Sequence, residues 1–256
     1  MPPIRRTIKK TTYAILFALL FAIPTVLTIV PGIIRWRQRQ ARPVPERPIA
    51  IQVESVDAVL HPNNVDIIAR IRNPNPRAGV PEFTVSFVLL DEAGSEIERL
   101  QEQTYLLPGS LNYIAALAVP LASTVAQVRV ETPPAPQFTA LPQSLAAPAF
   151  NSFLRGRTER MIGSKTIEVQ KGIVTNTSTL GFQQVDVTGV AFAADGQVVG
   201  IGQTFIGKFS VGEQREFTIE WPKPAAPTER VIIFPTSNIF REDNILRPEG
   251  DPSLLR

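Results

Sequence analysis

Cysteine is absent from the 256 residues of this chain, and His61 is its only histidine. Without cysteine, neither disulfide bonds nor thiolate chemistry is available, although exported proteins also occur without cysteine and the compartment stays open. A metal site on His61 would need carboxylates for its other ligands, and no such cluster surrounds it in the sequence. A Ser/His/Asp triad through His61 would lack a Gly-x-Ser-x-Gly elbow. We therefore predict an ordinary turn histidine before Pro62, no catalytic residues, no metal and no cofactor.

Charge is absent from residues 11–34, a run of 24 mostly apolar residues between Lys10 and Arg35. A helix of this length reaches about 36 Å, which exceeds the roughly 30 Å hydrocarbon core of a bilayer. A cleavable signal peptide is the competing interpretation, but such apolar regions are about 7–15 residues long and end in a small-x-small site that this run lacks. The sequence predicts an uncleaved transmembrane helix over 11–34, so the lipid bilayer is the first expected partner.

The orientation of this helix is not decided by the basic residues around it. The segment 1–10 carries four Lys and Arg residues, and the segment 35–48 carries five Arg. A short cytoplasmic N-terminal tail with the large C-terminal part exported is the commoner topology, and we expect it here. The protein is then a single-pass cell-membrane protein whose domains are extracytoplasmic.

A strongly basic globular part is also missing, although the sequence pI is about 9.4. The net positive charge lies beside the predicted helix, because residues 49–256 hold 17 basic and 22 acidic side chains. A mildly acidic domain without a basic stripe argues against nucleic-acid binding. The flanking basic residues fit anionic lipid headgroups instead. Residues 35–48, rich in Arg and Pro, read as an extended stalk.

The chain contains an internal repeat. Several landmarks recur at a separation of 103 residues: Asn73 and Asn176, Gly109 and Gly212, Val128 and Val231, and Val130 and Ile233. A period near 100 residues indicates a duplicated globular module, because solenoid repeats are only 20–50 residues long. We place the two copies at 49–132 and 149–238.

Each copy has the alternating apolar pattern of β-strands. In the first copy three sets alternate: Ile49, Ile51 and Val53; Val65, Ile67 and Ala69; and Phe83, Val85, Phe87 and Leu89. Gly94 and the Asp195-Gly196 pair mark hairpin turns, and Asp-Gly predicts a type I′ turn. The predicted fold class is all-β, with two tandem Ig-like or fibronectin-like β-sandwiches after one transmembrane helix.

The segments around the copies are rich in proline or polar. Residues 133–148 contain five prolines and predict an interdomain linker. Residues 149–160 could hold a short helix, but the register of the repeat favours a strand over 152–164. The polar tail 239–256 is predicted to be disordered.

Four further motifs have plain structural interpretations. The acidic residues in 91–98 could bind a weak calcium ion, but they lack the EF-hand ligand order and fit a solvated hairpin end. Gly200 and Gly202 indicate a bulge or a close approach between strands, since no dinucleotide loop surrounds them. Asn176-Thr-Ser178 fits the glycosylation pattern by chance. Trp221 is expected to anchor the core.

The first copy resembles a known domain family. Phe87-x-Leu89-Leu90-Asp91 followed by Gly94 is similar to the motif of the FxLYD domain, with Leu90 where that family has Tyr. The second copy carries a degenerate version around Gly189. Asn73-Pro-Asn75 also resembles the signature of water-stress (LEA type 2) domains. The FxLYD resemblance implies a small β-sandwich in prokaryotic membrane-anchored or exported proteins, usually without an assigned activity, and no catalytic residues.

Two functions follow as expectations. The first is a non-enzymatic membrane-anchored envelope protein that presents two β-sandwiches for protein interaction, adhesion or assembly, with an exposed edge strand as the natural contact for a protein partner. The alternative is a small-molecule or ion-binding surface receptor. In that case the cleft between the copies would hold the ligand, lined by 91–98 or 155–160.

Overall fold

The described part of the chain consists almost entirely of β-strands and their turns. The computed structural model describes residues 48–121, 123–134, 136–141 and 146–246. They belong to one structural unit that begins at Pro48. The predicted N-terminal tail, transmembrane helix and nearly all of the stalk lie outside these ranges. Within them, no helix has the length and apolar character needed to cross a membrane. The predicted all-β class is confirmed for the described residues.

Fourteen strands are described, and they fall into two groups of seven. The first half contains β1 (Gln52–Leu60), β2 (Asn64–Arg72), β3 (Ala78–Leu90), β4 (Glu96–Leu106), β5 (Leu111–Pro120), β6 (Gln127–Glu131) and β7 (Thr139–Ala140). The second half contains β8 (Phe150–Ile162), β9 (Lys165–Asn176), β10 (Gly181–Phe192), β11 (Val198–Phe209), β12 (Gln214–Pro222), β13 (Arg230–Thr236) and β14 (Ile245–Leu246). A single 3-10 turn in the described residues, Glu242–Asn244, precedes β14.

The two halves share one strand order. In the first half, one sheet has the order β1-β2-β5 and the other β4-β3-β6, with β7 paired to β3. In the second half the orders are β8-β9-β12 and β11-β10-β13, with β14 paired to β10. Adding seven to each strand number of the first half gives the pairing of the second. The same arrangement is therefore built twice.

The alternating apolar residues of β2 and β3 face the core, as predicted. Val65, Ile67 and Ala69 of β2 and the alternating residues of β3 all belong to one buried apolar cluster between the two sheets of the first half. The second half has its own cluster, centred on Phe182, Phe209 and the fully buried Trp221. The prediction that Trp221 anchors the core is confirmed.

The alternation predicted at the start of β1 is wrong. Ile49 and Val53 are exposed, and only Ile51 packs against the core, although it precedes the strand. The register of β1 against β2 shifts between Val53 and Ser55. A bulge at this point exchanges the two faces of the strand, so that Val56 contacts the core instead.

The hairpin turns are confirmed in position but not in type. Gly94 and Gly196 lie between paired strands and have φ values of 79° and 85°. A type I′ turn requires positive φ at both central residues, and Asp195 is not among the residues with positive φ. The Asp195 carboxylate instead accepts a hydrogen bond from the Gln197 amide at 3.0 Å. This side-chain bond stabilises a turn in which glycine alone adopts the left-handed conformation.

The recurring asparagines occupy matching positions. Asn73 Nδ2 donates to the carbonyls of Ala78 and Leu107, at 2.8 and 2.9 Å. Asn176 Nδ2 donates to the carbonyls of Leu180 and Ser210, at 2.9 and 3.1 Å. Each buried side chain thus joins the end of one strand to the turn between two others. The repeat of 103 residues preserves this hydrogen-bonded corner.

The segments predicted as linker and tail contain ordered residues. Thr139 and Ala140 form β7 against β3, so part of 133–148 belongs to a sheet. Ile239 is buried, and β14 pairs with β10, so disorder is the wrong prediction for 239–246. A strand of two residues is too short to show an alternating apolar pattern. For this reason neither β7 nor β14 could be predicted from the sequence. The strand preferred over a helix at 152–164 is confirmed as β8, Phe150–Ile162.

The two halves contact each other through the outer faces of two sheets. Ile68 and Ala115 of the sheet β1-β2-β5 pack with Val190 and Ile201 of the sheet β11-β10-β13. Tyr113 meets Phe234 edge to face, with 5.3 Å between the ring centroids. Because apolar side chains occupy both faces of these two sheets, the halves are stacked and not merely linked by the chain.

Candidate functional site

One cavity of the described residues is a groove between the two halves. This groove, of about 720 Å³, is bordered by Gln103 and Tyr105 of β4 on one side and by Gln184, Asp186 and Arg241 on the other. Most of its side chains are polar. They offer hydrogen-bond donors and acceptors, and they include no histidine, serine or cysteine among the described residues.

Tyr105 and Thr236 bridge the halves at this groove. The Tyr105 hydroxyl and Thr236 Oγ1 are 2.9 Å apart and share a hydrogen bond. Burial raises the pKa of Tyr105 strongly, and the charge of Asp186 raises it further, while the bond to Thr236 opposes both effects. A phenol held neutral in this way is a structural hydrogen-bond partner and not a general base. No spacing in the sequence indicated this pair.

Two of the acidic residues of 91–98, Asp91 and Glu96, are bound by other groups of the protein. Asp91 Oδ1 accepts hydrogen bonds from the amides of Ala93 and Ser95, at 2.9 and 2.8 Å. Arg99 pairs with Glu96 and with Glu131, each at 2.8 Å, and these contacts lower the pKa of both carboxyl groups. Asp91 therefore closes a turn, and Glu96 binds an arginine. In the described ranges, no group of three or more His, Cys, Asp or Glu residues is placed to hold a metal ion.

His61 lies beside Asp66 at the turn between β1 and β2. The distance from His61 Nε2 to Asp66 Oδ2 is 2.9 Å. The other oxygen of Asp66 accepts a hydrogen bond from the amide of Ala118, whose φ of 52° is in the left-handed region. Asp66 thus stabilises an irregular point in β5, and His61 completes its hydrogen bonds. This geometry fits the predicted turn histidine.

Two other motifs have structural roles. Asn176 has no solvent exposure and uses its amide nitrogen in the bonds described above, so the folded chain cannot accept a glycan there. A side chain at Gly200 would collide with Trp221, and one at Gly202 would collide with Ile219. These glycines make room for large side chains of the facing sheet. That matches the close approach expected from the sequence.

Residues 155–160 lie on β8, away from the groove between the halves. Arg155 pairs with Glu216 at 3.3 Å, and Arg160 pairs with Glu220 at 2.6 Å. Arg157 instead borders a smaller cavity within the second half. The structure therefore does not bring 91–98 and 155–160 together, and neither segment borders the groove.

Strand β8 is the most exposed of the long strands in the described residues. It is an edge strand in the order β8-β9-β12, and 12 of its 13 residues are exposed. Phe153 and Met161 are 70% and 73% exposed. The described residues supply no strand on its free side, so its outward N–H and C=O groups are available for pairing.

Comparisons with known proteins leave this chain without an assigned family. No family model matches the chain. No curated protein sequence matches it either. Among solved structures, it is similar to red sea bream transglutaminase with a TM-score of 0.22 and 11% sequence identity over 77% of this chain. The chain spans only 31% of the length of that transglutaminase. A TM-score this low supports no statement about fold or function.

Proposed function

We propose that this chain is a non-enzymatic, single-pass membrane-anchored envelope protein that presents two β-sandwich domains for protein interaction, adhesion or assembly. The uncharged run 11–34 supports the membrane anchor, and the stalk 35–48 would lift the folded unit from the bilayer. The repeated order of strands supports two sandwiches of the Ig or fibronectin type. The resemblance to FxLYD domains points to the same architecture and to an extracytoplasmic location.

The exposed edge strand β8 carries the proposal of a protein partner. A long strand with a free edge can accept an extended segment of another protein through backbone hydrogen bonds. Natural proteins usually protect such edges by making them short or covering them. β8 has 13 residues and keeps Phe153 and Met161 in solvent. An edge strand of this length that exposes two large apolar side chains favours a strand-adding contact.

The charges of β8 indicate the chemistry of its partner. The strand carries Arg155, Arg157 and Arg160 against the single carboxylate of Glu159. Two copies of β8 paired with each other would bring arginines together, which disfavours self-association. An extended segment that alternates carboxylates with apolar side chains would complement both the arginines and Phe153. We therefore expect an acidic and apolar partner strand.

The variant Phe153→Lys tests this contact. The full chain would be purified in detergent and used to capture partners from envelope extracts after mild crosslinking. We expect the protein captured by the natural chain to be recovered at least about tenfold less with Phe153→Lys, because a buried aromatic anchor is lost and a charge is added. Phe205→Lys is the matched control, since Phe205 is 66% exposed and lies on another strand. Equal recovery with both variants would contradict the proposal.

The alternative, a receptor with its ligand between the halves, has less support. The groove is polar and of ligand size, but neither 91–98 nor 155–160 borders it. A thermal-shift screen of metal ions and polyanions distinguishes the two functions. A single compound that raises the melting temperature by several degrees, and whose effect is lost in the groove variant Asp186→Ala, would favour the receptor.

A further inference from the structure

Because the fold is repeated, each core position of the second half can be compared with the equivalent position of the first half. In the first half, Val65 and Val119 form a cross-strand pair between β2 and β5, and both belong to the apolar core. Val125 belongs to the same core. The corresponding positions in the second half hold three buried residues of different chemistry: Glu168, Trp221 and Thr228.

These three residues form one hydrogen-bonded group. Trp221 Nε1 donates to Glu168 Oε2 at 3.0 Å, and Thr228 Oγ1 donates to the same oxygen at 2.8 Å. Glu168 is only 6% exposed, and no lysine or arginine of the described chain forms an ion pair with it. Its other oxygen, Oε1, accepts no hydrogen bond from a described residue. A position that holds a core valine in the first half therefore holds a carboxylate with one unbonded oxygen in the second half, and this oxygen is a candidate for ligand binding.

Glu168 borders a cavity that opens to the surface of the second half. The cavity measures about 390 Å³ and is bordered by Arg157 and Glu159 of β8, by Lys223 and by the loop that follows it. Pro224 and Pro227 form apolar walls. This volume is within the range of small-molecule sites.

The charged side chains around the cavity differ in how many of their donors and acceptors have partners within the protein. Lys223 and Glu159 form an ion pair at 2.8 Å. Arg157 donates from Nη1 to the Thr228 carbonyl at 2.7 Å, and its other N–H groups have no partner among the described residues. Among the residues that border the cavity, Glu168 thus offers a free acceptor, Oε1, and Arg157 offers free donors.

We propose that this cavity binds a small zwitterion of the α-amino-acid type. The ammonium group of the ligand binds Glu168 Oε1 and supplies the positive charge that this buried carboxylate lacks. The carboxylate of the ligand binds the free donors of Arg157. The proline walls contact its side chain. This site shares Arg157 with the edge strand β8, but Glu168 lies on β9, so a Glu168 variant tests it separately from the edge-strand contact.

Isothermal titration of the full chain in detergent with glycine, L-alanine, L-valine and L-lysine tests the proposal, with ethylamine and acetate as single-charge probes. We expect at least one amino acid to bind, and to bind at least about tenfold more weakly to Glu168→Gln and to Arg157→Gln. Glu168→Gln keeps an acceptor for Trp221 and Thr228, so the fold is expected to persist. Arg157→Gln changes an exposed residue, so it still tests the amino-acid affinity if Glu168→Gln unfolds.

Arg155→Gln and Glu220→Gln are the matched controls, because both change one charge on the same sheet outside the cavity. Unchanged affinity in these controls supports the site. Absence of binding by every amino acid at millimolar concentration would overturn the proposal. Equal binding to Glu168→Gln and the natural chain would do the same, as would ethylamine binding as tightly as the amino acids.

Discussion

At the scale of single residues, the repeat is carried by polar side chains that hold corners of the fold. Asn73 and Asn176 are buried and bond to carbonyls of two other segments. Their spacing was readable in the sequence, because identical residues recurred at one separation. The burial of Glu168 could not be predicted from the residues next to it in the sequence. Only its alignment with Val65 in the repeat could have indicated it.

The corner asparagines give a residue-scale prediction. Asn176→Ala removes the donor for the carbonyls of Leu180 and Ser210 and leaves them without that partner. We expect the free energy of unfolding to fall by about 2–4 kcal/mol. Asn151→Ala, at an exposed position of β8, is expected to change it by less than about 0.5 kcal/mol. Urea unfolding of both variants measures the difference, and equal midpoints would contradict this role.

At the scale of elements, the alternation of apolar residues predicted strands reliably. Bulges and very short strands could not be predicted from it. β2 and β3 could be predicted because one face of each contacts the core along its whole length. The bulge in β1 interrupts the alternation after Val53, and β7 and β14 are too short to have any. Bulges and two-residue strands depend on tertiary pairing, which local sequence patterns do not encode.

The glycines of β11 give an element-scale prediction. A methyl group at Gly200 would overlap the indole of Trp221, whereas one at Gly207 would have its nearest neighbour, the Gln183 carbonyl oxygen, 3.8 Å away. We expect Gly200→Ala to lower the free energy of unfolding by about 1–3 kcal/mol, because the core cannot absorb the added volume. Gly207→Ala on the same strand is the control. A thermal midpoint for Gly200→Ala as high as that of Gly207→Ala would count against close packing between the sheets.

At the scale of the whole molecule, the two halves form a stack whose outer faces are polar. Val190 is flanked by Ile201 and Ile232 and packs against the first half. Its counterpart Val88 is flanked by Arg99 and Arg129. On the opposite end of the stack, Lys171 and Thr218 occupy the positions that Ile68 and Ala115 hold in the first half. Charged outer faces end the stack after two units, as capping repeats do in longer arrays. The sequence repeat predicted the two similar halves. Their packing against each other depends on residues that differ between the two copies.

The contact of Tyr105 with Thr236 gives a prediction at this scale. Because burial raises the pKa of Tyr105, its contribution to stability is complete below the unfolded pKa of about 10 and is lost as the pH rises toward the folded pKa. Tyr105→Phe loses the bond to Thr236 and should lower stability by about 1 kcal/mol at neutral pH. It should also lose less stability than the natural chain above about pH 10. Urea unfolding at both pH values measures this, and parallel pH profiles would contradict it.

We propose that the predicted helix 11–34 holds the folded unit outside the cytoplasmic membrane. Because the chain has no cysteine, a single introduced cysteine reports its own location. Glu92→Cys places the reporter in an exposed turn, and Thr7→Cys places it in the N-terminal tail. With a membrane-impermeant maleimide, we expect labelling of Glu92→Cys in intact cells and of Thr7→Cys only after permeabilisation. Labelling of Thr7→Cys in intact cells, with Glu92→Cys protected, would contradict it.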